Sequence, residues 1–233
     1  MSAIISIIGA KGGTGKTTLS HLLCHGLGLL GKRAVCVMTD DCREMPPHGS
    51  QPYVFADGRN AQARTQIIAT LRERTGWIGV IDGGANRIET DSELYQAADL
   101  VLLPFRDSQE DLRVMYRDLE RLPRALALPS QWPSNPWQYQ AALRLLESVP
   151  AELQSRILAP VFAVSSSKLL LQTPQPESLP TPVNKLSRAF ARYTLQLLEH
   201  GVASVSAPQT ALGASRRMQN LIDTRAAQAC HTT

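Results

Sequence analysis

A glycine-rich segment at residues 9–18 constrains the fold more than any other part of this chain. It reads Gly-Ala-Lys-Gly-Gly-Thr-Gly-Lys-Thr-Thr. The isoleucine-rich residues 4–8 before it are typical of a strand buried on both faces of a parallel sheet. After it, leucines recur at helical spacing from Leu19 to Leu30. The sequence therefore predicts a strand, a tight turn and a helix in direct succession.

The predicted turn has the chemistry of a phosphate-binding loop. Glycines at positions 12, 13 and 15 allow positive φ angles and let backbone N–H groups approach an anion closely. Lys16 and Thr17 lie at the predicted helix N-terminus, where the helix dipole favours phosphate. In that place Lys16 can reach the β- and γ-phosphates of a nucleotide, and the Thr17 hydroxyl can ligate Mg²⁺.

The loop departs from the common P-loop pattern at two positions. Ala10 stands where glycine is expected, and Lys11 adds a second lysine. The motif Lys-Gly-Gly-x-Gly-Lys-Thr resembles the deviant P-loop of the ParA/MinD family of ATPases. The resemblance implies ATP and Mg²⁺ as cofactors and an ATP-dependent homodimer in which Lys11 crosses the interface to the partner's phosphates. The nucleotide-binding residues would then be Lys11, Gly12, Gly13, Thr14, Gly15, Lys16, Thr17 and Thr18.

Strand-like and helix-like segments alternate after this loop. The pattern predicts an α/β fold, a doubly wound and mostly parallel sheet with helices on both faces. We expect one domain over residues 1–233, with a basic helical part at about 184–229. Strands are predicted at 34–38, 53–56, 77–81, 100–104 and 157–164, with a possible one at 125–128; helices are predicted at 61–74, 93–98, 108–121 and from Asn184 onward.

Acidic residues follow two of the predicted strands, at the sheet edge where open α/β sheets bind ligands. Asp82 closes an apolar strand in the Walker B manner and is a candidate to hold Mg²⁺ through water. Asp40 lies where a ParA/MinD-like protein carries the aspartate that orients the attacking water, and Asp41 is its rival. Both could instead belong to a solvated acidic turn. The family often has two prolines after the Walker B aspartate, whereas residues 83–85 here read Gly-Gly-Ala.

The formal net charge of +4 arises entirely after residue 182. On the last predicted helix the basic residues fall on a different face from the apolar stripe, and such a face suits contact with a DNA backbone without reading of its sequence. An ordinary solvated face is the alternative. ParA-like proteins use C-terminal basic residues in this way, and the predicted DNA-binding residues are Lys185, Arg188, Arg192, Arg216 and Arg217.

Cysteine spacing and hydropathy argue against several other classes of protein. The cysteines at 24, 36, 42 and 230 show no paired spacing, which disfavours a disulfide framework, a zinc site and an iron–sulfur ATPase. No apolar run approaches the roughly 18 residues that a membrane span needs. Residues 212–229 lack the apolar face of a membrane anchor and predict a packing helix. We expect a cytoplasmic protein without a signal peptide, associated with the nucleoid when ATP is bound.

Two segments predict long loops. Residues 123–137 are rich in proline and contain Trp132 and Trp137, so the part after the possible strand should lack regular structure. Its rings are expected either to pack on the domain or to form a partner surface or a lid over the nucleotide base. Residues 165–182, rich in Ser, Pro, Gln and Thr, predict the second loop.

The resemblance implies a slow, partner-stimulated and Mg²⁺-dependent ATPase. Its ATP-bound dimer would hold nonspecific DNA or an adaptor protein and would position a plasmid, a chromosome or a protein cargo. Lys11, Lys16 and Asp40 would act in hydrolysis, and Thr17 and Asp82 would hold the metal. The alternatives are a MinD-like regulator at the membrane and a metabolic ATP-dependent ligase of the same P-loop group.

Overall fold

The computed structural model describes residues 2–41, 44–45, 51–85, 87–172, 176 and 178–200. Six parallel strands form one sheet in the order β3-β2-β4-β1-β5-β6. β1 is buried along its whole length and lies between β4 and β5, so its carboxyl end opens at the middle of the sheet. The strands are β1 Ala3–Ile7, β2 Arg33–Met38, β3 Val54–Asp57, β4 Trp77–Asp82, β5 Leu100–Phe105 and β6 Leu126–Pro129.

Helices cover both faces of this sheet, which confirms the predicted doubly wound fold. On one face α1, α7 and a 3₁₀ helix pack on one apolar cluster; on the other α2, α3, α4 and α5 pack on a second. The helices are α1 Lys16–Leu29, α2 Ala61–Glu73, α3 Ile88–Ala97, α4 Gln109–Arg121, α5 Pro136–Glu147, α6 Ala151–Gln154 and α7 Thr181–His200, and the 3₁₀ helix is Ser165–Leu171. None of the helices in the described ranges is both long and apolar enough to cross a bilayer.

Most predicted elements lie within one residue of their predicted bounds, including the possible strand at 125–128. α3 is longer than predicted and begins at Ile88, where its first turn carries acidic side chains that suit a helix N-terminus. Cys24 and Cys36 are buried free thiols, as the strand and helix assignments require.

The prediction that residues 123–137 lack regular structure after the strand was wrong at its end. Helix α5 begins at Pro136, because proline has no N–H to lose in a first helical turn. The Asn135 side chain caps the helix by accepting hydrogen bonds from the N–H groups of Trp137 and Gln138. Trp132 is fully buried against Phe105, whereas Trp137 is 86% exposed.

The predicted strand at 157–164 was also wrong. This segment runs beside β6 and forms two isolated bridges, Ala127 with Ile157 and Trp132 with Phe162. Leu158 N–H donates to the Ala127 carbonyl. Pro129 and Pro160 supply no N–H group, so a continuous ladder cannot form between the two segments.

Two predictions near α7 need correction. Residues 165–171 form the 3₁₀ helix rather than a loop, and α7 begins at Thr181, so Asn184 is inside the helix and does not cap it. Instead, the Asn184 amide donates to the Leu179 carbonyl, and its oxygen lies 2.8 Å from His25 Nε2. Arg216, Arg217 and the helix predicted at 212–229 lie outside the described residues.

The packing of α1 on α7 depends on Gly26. A Cβ atom there would lie 1.9 Å from the Ser187 carbonyl oxygen and 2.9 Å from the Ala191 Cβ. Such a contact requires the two helices to move apart. The close approach therefore excludes any side chain at this position.

We expect Gly26→Ala to destabilise the protein by about 1–3 kcal/mol, because it overpacks the interface between α1 and α7. The sign of the change in unfolding free energy makes this a sharp test, because Gly→Ala at an exposed helix position stabilises a protein by about 0.5–1 kcal/mol. Chemical denaturation monitored by circular dichroism measures the free energy of unfolding. A variant as stable as the wild type, or more stable, would contradict the packing described here.

Candidate functional site

The glycine-rich loop leaves β1 at the carboxyl edge of the sheet and ends at the first turn of α1. Gly9, Gly13 and Gly15 all have positive φ angles, of 137°, 74° and 91°. At Gly15 a Cβ atom would lie 2.8 Å from Gln131 Nε2, a contact that the Gln131 side chain can relieve by moving, so the positive φ angle is what favours glycine there. Lys11, Gly12, Gly13, Thr14 and Gly15 form the loop, and Lys16, Thr17 and Thr18 form the first turn of α1.

The N-terminus of α1 has the features of an anion site. Gly15 occupies the cap position and has no side chain that could accept a hydrogen bond from the first turn. The leading N–H groups of a helix have no partner within the helix, and the dipole favours negative charge at this end, so both suit an anion. The residues present fit the phosphates of a nucleotide.

Lys16 is buried and folds back onto the loop. Its ammonium donates hydrogen bonds to the carbonyls of Gly9, at 3.0 Å, and Lys11, at 2.7 Å. Burial lowers the pKa of Lys16, and nearby carboxylates oppose that shift. In order of effect these are Asp91, Asp82, Asp118 and Asp40. The predicted acidic residues Asp40 and Asp82 are thus both close enough to act on Lys16.

Lys11 makes contacts that were not predicted from the sequence. Its ammonium forms an ion pair with Glu110 and lies 3.8 Å from Asp111, and both carboxylates belong to the first turn of α4. Asp111 is itself held by the Ser108 hydroxyl and the backbone N–H of Arg106. The second lysine of the loop is therefore retained by acidic groups of its own chain. Acidic residues at a helix start are common, so the sequence carried no specific signal for this pairing.

Asp82 lies at the end of β4, directly beside the loop. Asp82 pairs in register with Ile7 of β1 and with Met38 of β2. The Asp82 side chain is almost fully buried. The Ser20 hydroxyl donates to the Asp82 carboxylate at 3.3 Å. Since Ser20 is one helical turn after Thr17, the structure brings the two predicted metal ligands to the same end of α1.

Two further carboxylates lie under the loop. Asp118 of α4 accepts a hydrogen bond from the Ala10 N–H at 2.9 Å and pairs with Arg121 at 3.2 Å. Asp91 of α3 is fully buried, 3.9 Å from Arg121. Burial raises the pKa of Asp91 to about 6, although Lys16 and Arg121 favour its ionised form. The sequence analysis did not single out Asp91 or Asp118, because aspartates within helices are mostly exposed.

The basic stripe on α7, formed by Lys185, Arg188 and Arg192, lies away from this loop. Lys185 and Arg192 are exposed and Arg188 is half-buried. Arg188 is close enough to His25 to help lower its pKa, after burial, which is the main cause. Of the five residues predicted to bind DNA, these three are within the described part of the chain.

Comparison with solved structures identifies proteins with the same architecture. A plasmid partition protein of Borrelia burgdorferi bound to AMPPNP has a TM-score of 0.59 at 12% identity, over 84% of this chain and 99% of its own. MinD of Aquifex aeolicus, in its complex with MinC, has a TM-score of 0.60 at 14% identity, over 83% and 95%. This is the fold that plasmid partition and MinD proteins share.

The same fold also occurs in a metabolic enzyme. Cobyrinic acid a,c-diamide synthase of Mycobacterium smegmatis, with an ATP analogue and magnesium bound, has a TM-score of 0.55 at 16% identity, over 86% of this chain and 97% of its own. No protein-family model and no curated protein sequence matches the chain.

We expect Asp91→Asn to stabilise the protein at pH 7.5. The pKa of Asp91 is about 6 in the fold and 3.8 in the unfolded chain, so at pH 7.5 the fold bears the cost of a buried ionised carboxyl. A pKa shift of one unit corresponds to about 1.4 kcal/mol of stability. We therefore expect Asp91→Asn to raise the free energy of unfolding by about 1–3 kcal/mol. The gain should shrink as the pH falls from 6 to 4, because the wild-type carboxyl becomes protonated.

Denaturation at several pH values measures this dependence. Asp118→Asn is the matched control: it removes a carboxylate that accepts from Ala10 and pairs with Arg121, and should destabilise the protein instead. A loss of stability in Asp91→Asn at pH 7.5 would contradict the account of Asp91.

Proposed function

We propose that the chain is a ParA/MinD-type ATPase that hydrolyses ATP with Mg²⁺ and works as a nucleotide-controlled dimer. The single observation that carries the proposal is the glycine-rich loop with two lysines, between β1 and α1 at the carboxyl edge of the sheet. The fold supports it, because nucleotides bind at this edge in open α/β sheets. The relatives with bound AMPPNP and with an ATP analogue and magnesium support the choice of ligand.

Each part of the loop has a task in this proposal. Backbone N–H groups of residues 12–17 and the Lys16 ammonium, which lies beside the carbonyls of Gly9 and Lys11, would hold the phosphates. The Thr17 hydroxyl and, through water, the Asp82 carboxylate would hold Mg²⁺. When bound, the metal neutralises charge that develops on the phosphates. Asp40 orients the attacking water, and Asp41 remains its rival on sequence grounds.

The proposed dimer depends on Lys11. Its ammonium is paired with Glu110 and lies near Asp111. Reaching a partner's phosphates requires the exchange of these carboxylates for a more highly charged anion. Glu110 is largely exposed, so its pair with Lys11 is weak. The buried Asp111 is farther from the ammonium, at 3.8 Å, and is already held by Ser108 and Arg106. ATP would thereby join two copies of the chain.

The dimer would hold random-sequence DNA through the stripe on α7, and slow hydrolysis would release it. Lys185 and Arg192 are exposed and lie two helical turns apart, so both could contact the phosphate backbone of one duplex. An adaptor protein that stimulates hydrolysis would link the dimer to a plasmid, a chromosome or a protein cargo. With ATP bound, the protein would be found on the nucleoid.

Charge reversal on α7 tests the DNA assignment. We expect the double variant Lys185→Glu with Arg192→Glu to lower the affinity of the ATP-bound protein for random duplex DNA by at least about tenfold at 100 mM salt, because phosphate contacts dominate such binding. Fluorescence anisotropy measures the affinity, with ADP as the reference state. The wild type should bind tightly only with ATP.

Arg113→Glu with Arg117→Glu is the matched control. These two arginines are exposed on α4, on the opposite face of the sheet, and give the same change in net charge. The control variant should keep most of the wild-type affinity. Equal losses in both double variants would mean that binding follows net charge alone, and no loss in the α7 variant would overturn the assignment.

A metabolic ligase is the second candidate, because the Mycobacterium smegmatis synthase shares the fold. Such an enzyme would couple ATP cleavage to a small substrate. Phosphate release that depends on a small carboxylic acid, and that does not respond to DNA, would favour the ligase over a positioning ATPase.

A further inference from the structure

Arg87 connects two loops at the carboxyl edge of the sheet. It lies after β4, at the residue before α3, and its guanidinium reaches the loop that follows β2. Nη1 donates to the Thr39 carbonyl at 2.6 Å, and Nη2 donates to the Asp41 carboxylate at 2.8 Å. A Cβ atom on Gly84 would lie 3.0 Å from the Arg87 Cδ and Nε, so the glycine leaves the space through which this side chain crosses.

The two groups that Arg87 holds are the immediate neighbours of Asp40. One is the backbone of Thr39 and the other is the side chain of Asp41, so the guanidinium fixes the chain on both sides of Asp40. A second bond joins the same loops, since the Thr39 hydroxyl donates to the Asp82 carbonyl at 2.7 Å. Arginine suits this task because its planar fork presents several donors in a fixed geometry.

We propose that Arg87 is a positioning residue for ATP hydrolysis, which holds the loop of Asp40 against the loop of Asp82. The inference rests on the proposed function. Asp41 is then an anchor for Arg87, and Asp40, which lies between the two groups that Arg87 holds, is the residue that orients the water. Attack on a phosphate is sensitive to the placement of the water, and a displacement of about 1 Å can cost about a hundredfold in rate.

The position of Arg87 also accounts for the sequence after Asp82. Residues 83–85 read Gly-Gly-Ala where the ParA/MinD family often has two prolines. Prolines would stiffen this segment through their fixed φ angles. In this chain Gly83 donates its N–H to the Ile7 carbonyl and has no room for a Cβ atom. Arg87 adds bonds from the same segment to the neighbouring loop.

The test compares Arg87→Ala with Arg72→Ala in the full-length protein. Arg72 makes the same pair of bonds, to the Asp99 carboxylate at 2.6 Å and the Ala97 carbonyl at 2.8 Å, at the opposite edge of the sheet. We expect Arg87→Ala to lower kcat by about ten- to a hundredfold and to leave the Kd for Mg·ATP within about twofold, because Arg87 acts through Asp40. Arg72→Ala should leave both values unchanged.

Three further variants separate positioning from direct contact with nucleotide. Asp41→Asn should also lower kcat. The double variant Arg87→Ala with Asp41→Asn should be no slower than Arg87→Ala alone, because the two residues act together. Arg87→Lys keeps the charge without the fork and should give an intermediate kcat.

The outcomes distinguish this inference from the proposed function. Wild-type protein that binds Mg·ATP but never hydrolyses it would overturn the proposed function and this inference with it. Wild-type turnover that persists in Arg87→Ala would overturn this inference alone. A Kd that weakens as much as kcat falls would make Arg87 a phosphate ligand, and additive losses in the double variant would refute its pairing with Asp41; either result overturns the positioning role.

Discussion

The backbone turn from β1 into α1 is the constraint on which the rest of the structure depends. β1 is the buried strand between β4 and β5, so its carboxyl end emerges where the loops after those strands converge. To enter α1 from there, the chain passes through Gly13 and Gly15 with positive φ angles. The turn places the N-terminus of α1, Lys16 and Thr17 beside Asp82, and it places Lys11 within reach of α4.

Both lysines of the loop are held by groups of their own chain. Lys16 is bound to two carbonyls, and Lys11 is paired with a carboxylate at the start of α4. Buried carboxylates surround Lys16 and offset part of the cost of its burial. A triphosphate would offer both lysines more charge than these partners do, and this difference is the physical basis of the switch that we propose.

The features that depend on local sequence patterns could be predicted from the sequence. The features that depend on contacts between distant residues could not. Apolar runs and the glycine loop were enough for the sheet, for α1 and for the convergence of Lys16 and Asp82 at one edge. The start of α5 was missed because prolines both break helices and begin them, and only the Asn135 cap decides the case. The pairs of Lys11 with Glu110 and of Arg87 with Asp41 join residues far apart in the chain, so no short motif could reveal them.

Sedimentation velocity with Mg·ATP and with Mg·ADP tests the central claim most directly, namely that Lys11 joins two copies of the chain around nucleotide. Wild-type protein should be a dimer with ATP and a monomer with ADP. Lys11→Ala should stay monomeric with ATP while still binding it, and the exposed lysine variant Lys32→Ala should behave as the wild type. The same mass for wild-type protein in both nucleotides, or a Lys11→Ala variant that dimerises normally with ATP, would contradict the account.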